Sequence, residues 1–213
     1  MGEEMKQLRI LKQETTKSCG IACLRSIINY YGGNYSEKDI WKKHQSFGKG
    51  EEIRSPILSL GVTSLKFGLD VQYMGYNPII VNNNKYPDNL KKSLELKSKN
   101  YFSFGKYYVD QALQFLKLGG KAITEKLNIQ KLKKILDKEK FFLVEVRPAF
   151  ISKKSSAEID MNHKVIVIGY DKKGFKILNP SDCKEYVWDF ESFLIAFYAS
   201  IPEILVIKKG RKS

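Results

Sequence analysis

The chain has 213 residues, of which 43% are apolar and 12% aromatic, enough to bury a sizeable core and too apolar for a disordered polymer. A formal charge of +14 directs attention to acidic partners. The lysines are nevertheless scattered over what would be polar faces, and no zinc-finger spacing, RNA-binding aromatic signature or basic heptad accompanies them, so nucleic acid is not expected as the main partner.

Ile21, Leu24, Ile27, Ile28 and Tyr31 recur at three- and four-residue steps and predict a helix with one buried face. Thr16 to Ser18 offer capping side chains before it, and "GGN" at 32–34 offers the stop. "SEKDIWKKHQ" (36–45) opens with a serine cap and acidic residues and reads as a second helix, with His44 on a solvated, lysine-rich surface. "SPILSLGVTSLKFGLDVQYMGYN" (55–77) reads as an interrupted helix followed by a strand near Val71 to Gly75. The pattern is weakest from Asn77 to Gly120, where the second part reads as helical with Leu90, Leu94, Ala112, Phe115 and Leu116 turned inward.

The remainder is clearer. "NIQKLKKILDKEK" is a helix capped at Asn128, and "FFLVEVRP" (141–148) is apolar enough for a strand buried on both sides. "ISKKSSAEIDMN" (151–162) is a polar loop. "HKVIVIGYDKKGFKILNP" is the strongest hairpin, two apolar runs joined by a turn at Asp171 to Gly174. "EYVWDFESFLIAFYAS" holds a strand and then a helix, and "ILVIKK" is a last strand. The expected class is α+β, with a helical N-terminal half packed on a C-terminal antiparallel sheet. Three cysteines do not make a disulfide framework and fit a reducing compartment. The N-terminus lacks the apolar core of a signal peptide and no apolar run is long enough for a membrane span, so a cytoplasmic protein is expected.

There are only two histidines, His44 and His163. His163 opens the first hairpin strand and Asn179 closes the second, so the two become neighbours across the hairpin. An amide beside an imidazole can fix its ring orientation and tautomer. Cys19 stands in the first turn of the first helix, where the positive end of the helix and an adjacent imidazolium would both lower a thiol pKa. If that helix packs against the hairpin edge, nucleophile, base and orienter meet. Gly20 leaves room for a carbonyl. Gln13 can aim an amide N–H at the oxygen that becomes negative, with the Cys19 backbone N–H as second donor. Against this stands the reading of Cys19 as a core cysteine. Cys23, one turn further, reads as structural and Cys183 as an incidental loop residue. Cys19, Cys23 and His44 do not supply four ligands at suitable spacing, so no metal is implied.

These residues resemble the bacteriocin-processing cysteine peptidases, the double-glycine leader peptidases and their stand-alone relatives within the papain-like superfamily. The resemblance is carried by the pattern Q-x5-CG-x-A-x-L from Gln13 to Leu24, by a histidine opening an apolar strand, and by Asn179 before Pro180. It extends to "NYYGGNYSEKDIW", "GVTSLKFGLDVQYMGYN" and "LNIQKLKKILDKEKFFLVEV". The resemblance implies a single papain-like α+β domain over 1–213 with Cys19 as nucleophile, His163 as general base, Asn179 as orienter and Gln13 as oxyanion donor. It also implies a peptide or protein substrate and no cofactor. Two departures matter. Those leader peptidases carry aspartate where Asn179 stands, although papain uses asparagine, and the Cys19–His163 interval is longer, with 77–118 as the expected insertion. Double-glycine specificity therefore does not transfer. The same triad could also serve an amidase or acyltransferase acting on a non-peptide substrate, and the fold could serve as a non-catalytic peptide-binding module.

Overall fold

The structure, a computed structural model, describes residues 7–48, 53–77, 90–100, 103–150 and 162–210. The polar loop expected at 151–162 lies outside the described residues apart from Asn162. In chain order the elements are helices α1 (Cys19–Tyr30), α2 (Glu37–Lys43) and α3 (Ile57–Lys66), strand β1 (Asp70–Gly75), helices α4 (Leu90–Asn100) and α5 (Ser103–Lys117), strand β2 (Lys121–Thr124), helix α6 (Ile129–Glu139), strand β3 (Phe142–Val146), a 3-10 turn (Pro148–Phe150), strands β4 (His163–Tyr170), β5 (Phe175–Asn179) and β6 (Lys184–Trp188), helix α7 (Phe190–Tyr198) and strand β7 (Glu203–Lys208).

Local chemistry sets most of these boundaries. Ser36 and Asp39 form a reciprocal capping box at the start of α2. Asn128 accepts from the Lys131 backbone at 2.9 Å, and Asp189 from Ser192 at 2.9 Å, at the starts of α6 and α7. Helix α1 departs from the expectation, because no side chain among Thr16 to Ser18 caps it. The Ser18 hydroxyl instead accepts from Thr15 N and donates to Thr15 O, closing a turn ahead of the helix. Helix α3 runs without the expected interruption. Its buried Ser59, Thr63 and Ser64 return their hydroxyl protons to carbonyls three or four residues back, at 2.7–2.8 Å, so no polar group is stranded.

The α+β class holds, and the sheet reaches further than the C-terminal half. Its order is β2-β1-β7-β3-β4-β5-β6. Every neighbouring pair is antiparallel except β1 and β2, which run parallel. The α4–α5 segment is a crossover connection, and a crossover returns the chain in the same direction. The four residues of β2 were too few to show alternation in the sequence.

Two cores flank the sheet. Ile21, Leu24 and Ile27 of α1, Leu60 of α3 and Phe115 of α5 pack with Leu143, Ile166, Leu205 and Ile207. Leu132 and Leu136 of α6 and Phe193 and Phe197 of α7 pack on the other face with Phe142, Val144, Val165 and Val167. Burial on both faces explains the unbroken apolar runs of β3, β4 and β7. Leu94, Ala112 and Phe115 are buried as the helical pattern required, and Leu90 and Leu116 pack partly against the same core.

The β4–β5 hairpin has the expected turn, in which the Asp171 carboxylate accepts from Lys173 N at 2.7 Å and Gly174 N at 3.3 Å. Its register pairs Ile166 with Leu178 and then slips at a bulge between Val167 and Gly169. Gly174 is fixed by space, since a Cβ there would stand 2.0 Å from the Trp188 carbonyl oxygen. Gly174→Ala is therefore expected to lower unfolding free energy by about 1–3 kcal/mol in urea titration, by forcing β5 and β6 apart.

Candidate active site

Helix α1 lies across the beginning of β4. Besides the apolar contacts, the Cys23 thiol donates to the Lys164 carbonyl at 3.4 Å. Cys23 is thus a packing residue with a bond of its own. One helical turn earlier this seam brings Cys19, the first residue of α1, against His163, the first residue of β4. The His163 ring is the polar neighbour of the Cys19 sulfur and favours its thiolate form.

His163 Nε2 lies 2.8 Å from Asn179 Oδ1. An amide oxygen only accepts, so Nε2 carries the proton and Nδ1 is left for the sulfur. Asn179 Oδ1 also accepts from Ser181 N at 3.0 Å and Ser181 Oγ at 2.9 Å, three donors that fix which end of the amide faces the ring. Continuing the hairpin register places Asn179 opposite Val165, so His163 meets it diagonally rather than directly across.

Burial pushes the Cys19 thiol up. The hydrogen bond from His163, the positive charge of Lys164 and that of His163 outweigh it, and the thiol comes down to about 7. Burial pushes His163 down, yet its bond and attraction to Cys19 and its bond to Asn179 leave it above the usual imidazole range. The opposed shifts are those of a thiolate–imidazolium pair. Burial, together with the nearby Cys19 charge, holds Cys23 well above the ordinary thiol range, so it stays protonated.

Gln13 is brought to the same edge by its backbone, whose N–H donates to the Pro180 carbonyl at 2.9 Å. Its side-chain Nε2 donates to Thr15 O at 2.9 Å, which leaves one amide hydrogen, while Oε1 is buried without a partner. The Gln13 side chain makes no hydrogen bond to Cys19. Cys183 stands exposed between β5 and β6 with φ 59°, away from the cleft. His44 is not solvated as its lysine-rich neighbourhood suggested. Backbone extension after α2 turns its ring onto α3, with Nδ1 2.8 Å from Thr63 Oγ1 and Nε2 3.0 Å from Ser55 Oγ. Thr63 gives its own proton to Ser59 O, so Nδ1 donates and Nε2 accepts. Burial drives this imidazole down to about 3, and it stays neutral.

Cys19 opens onto a cleft of about 700 Å³ between α1, the segment before α3, helix α5 and the ends of β3, β4 and β7. Several charged groups in it were not singled out from sequence. Glu145 and Lys164 are direct cross-strand partners and form an ion pair, both nearly excluded from solvent. The Glu145 carboxylate also accepts from Asn162 Nδ2 at 2.8 Å and Ser200 Oγ at 2.7 Å. Glu203 on β7 accepts from Tyr108 of α5 and from Asn77, and burial pushes its carboxyl up to about 7 despite them. A usable signal existed, because each charge interrupts an otherwise apolar strand run: "FFLVEV", "HKVIVIGY" and "EILVIK".

The sequence profile of the Peptidase_C39 like family matches residues 5–201. The chain belongs to that family. Among solved structures it is similar to the peptidase domain of Streptococcus ComA, a bifunctional ABC transporter involved in a quorum-sensing pathway. Identity there is 14%, 95% of this chain and 98% of that one are covered, and the TM-score is 0.51. It is also similar to a double glycine motif protease from an AMS/PCAT transporter in complex with the leader peptide, at 14% identity, 96% and 94% coverage and a TM-score of 0.51. These likenesses define a shared papain-like fold. A comparison with curated proteins finds no match. Among the described residues no helix is long and apolar enough to cross a membrane.

Two measurements follow from the electrostatics. The rate of iodoacetamide alkylation at Cys19, read by peptide mass spectrometry, is expected to rise with pH through about 7 and to shift upward in His163→Ala, while Cys23 stays unreactive in the folded protein. For Glu203, whose carboxyl titrates at about 7 when folded against an ordinary value of 4.5, the folded state holds the proton more tightly than the unfolded state between those values. Stability contributed by that proton is present below the ordinary value and lost as pH rises toward 7. Glu203→Gln is expected to flatten this part of the stability–pH curve measured by urea titration.

Proposed function

We propose that this chain is a cysteine peptidase in which Cys19 is the nucleophile, His163 the general base and then acid, Asn179 the orienter and Gln13 an oxyanion donor. The observation that carries the reading is His163 hydrogen-bonded to Asn179 and set beside Cys19, with the thiol brought down to about 7 at the wall of a cleft. His163 Nδ1 takes the thiol proton, and the sulfur adds to the substrate carbonyl carbon. The oxygen of the tetrahedral adduct takes up the negative charge. The remaining Gln13 amide hydrogen and the Cys19 backbone N–H supply it with donors. His163 gives its proton to the leaving nitrogen as the C–N bond breaks, leaving a thioester on Cys19. Water, losing a proton to the same nitrogen of His163, then releases the acid product and the free thiol.

A peptide substrate is supported by family membership and by the leader peptide bound in the double glycine motif protease. The whole of 1–213 acts in this reading as one domain, with 77–118 inserted between β1 and β2. That insertion carries α4 and α5, and Phe104 and Tyr108 of α5 line the cleft. These bulky side chains are a reason to expect a substrate other than a double-glycine leader.

The test is incubation of the protein with a proteome-derived peptide library at pH 6 to 8 and mapping of new termini by mass spectrometry. Cleavage that vanishes in Cys19→Ala and His163→Ala supports the proposal. Asn179→Ala is expected to retain part of the activity, and Gln13→Ala to lose about 10²–10³ in kcat. If no peptide is cut while small amides or acyl acceptors react at Cys19, the triad serves a non-peptide amide or acyl-transfer reaction. A Cys19 that no substrate engages leaves the chain as a binding module.

A further inference from the structure

Arg147 stands immediately beyond β3 and lines the same cleft as Cys19. Its backbone N–H is tied to Ala196 O of α7 at 2.9 Å, and its side-chain Nε donates to Asn162 Oδ1 at 3.2 Å. Asn162 turns its amide N–H₂ the other way, onto Glu145. The nearest carboxylate of this network is thereby committed to Lys164, Asn162 and Ser200 and does not reach Arg147. Among the described residues no carboxylate pairs with the Arg147 guanidinium, although the residue is half-buried. A guanidinium held at Nε, with no partner for its two outer nitrogens among the described residues, presents the planar fork that matches a carboxylate. Lys17 and Arg54 line the same cleft and add charge of the same sign.

We propose that Arg147 is a specificity-determining residue that binds a carboxylate of the substrate, and that the cleft therefore selects peptides carrying one near the scissile bond. The proposal deepens the peptidase reading and rests on it. The carboxylate can belong to an aspartate or glutamate side chain or to a peptide's C-terminus. Both sources present the same two oxygens to the fork. The Asn162–Glu145–Lys164 relay holds the fork in place, so recognition and the thiol's electrostatics share one hydrogen-bonded network.

The test uses full-length Cys19→Ala protein, immobilised, and positional-scanning octapeptide pools in which one position is fixed as Asp/Glu, Asn/Gln or Lys/Arg. Each pool is prepared with a free and with an amidated C-terminus, and retention is read by mass spectrometry. Carboxylate-bearing pools are expected to be retained about tenfold or more over their amide counterparts. The fixed-position pools report a side-chain source and the free-acid pools a C-terminal one. Arg147→Gln is expected to erase the preference, and Arg147→Lys, which keeps the charge and loses the fork, to retain only part of it. Equal retention of acidic and amide pools, absence of retention of any pool, or a preference unchanged in both Arg147 variants overturns the proposal. Cleavage of peptides by the wild type without any acidic preference would reject this proposal and leave the peptidase reading standing. Selective retention with no cleavage would do the reverse.

Discussion

The seam between the start of α1 and the start of β4 is the constraint on which the site depends. A cysteine at a helix N-terminus and a histidine at a strand N-terminus are distant in sequence, and neither element alone gives them any reason to meet. The apolar stripe of α1 supplies the attraction. The Cys23 thiol on the Lys164 carbonyl fixes the axial position, because a helix sliding along the strand would break that bond. Gln13, just before the helix, is pinned to the strand end on the other side of the hairpin through Pro180. The groups proposed to react are thus located by neighbours one turn or one residue away.

The second theme is charge placed where solvent is scarce. An ammonium and a carboxylate facing each other across β3 and β4 cost several kcal/mol each to desolvate. They are tolerated because the carboxylate is fully engaged, by Lys164, Asn162 and Ser200. The gain is local potential. The positive charge of Lys164 favours the Cys19 thiolate in addition to the imidazole.

Much of this was legible in the sequence, and the limits were physical. The hairpin, the caps of α2 and α6 and the helix bearing Cys19 are local patterns, set by alternation and by short polar side chains. The meeting of His163 and Asn179 was legible because a hairpin converts sequence separation into proximity, although the sequence did not show the bulge, whose one-residue shift sets Asn179 opposite Val165 and so on the same face as His163. Lys164 and Glu145 were visible as charges in apolar runs, but their pairing depends on the β3–β4 register, which no local pattern contains. His44 was misread because a lysine-rich helix predicts exposure, whereas the extended backbone after Lys43 returns the ring to α3. Strand β2 is too short for alternation and exists because β1 offers it an edge.

Helix α5 belongs to the crossover between β1 and β2, at the far side of the sheet from the hairpin that carries His163 and Asn179. The α5 wall of the cleft and the groups proposed to break the bond are therefore written in separate stretches of chain, with α5 held by Phe115 in the core and by the Tyr108 hydroxyl on the Glu203 carboxyl. Such a division lets the crossover be exchanged for another of different contour while β3 to β5 and α1 stay as they are. A replacement must then meet two conditions: an apolar side chain in the core space of Phe115, and a donor delivered to the Glu203 carboxyl.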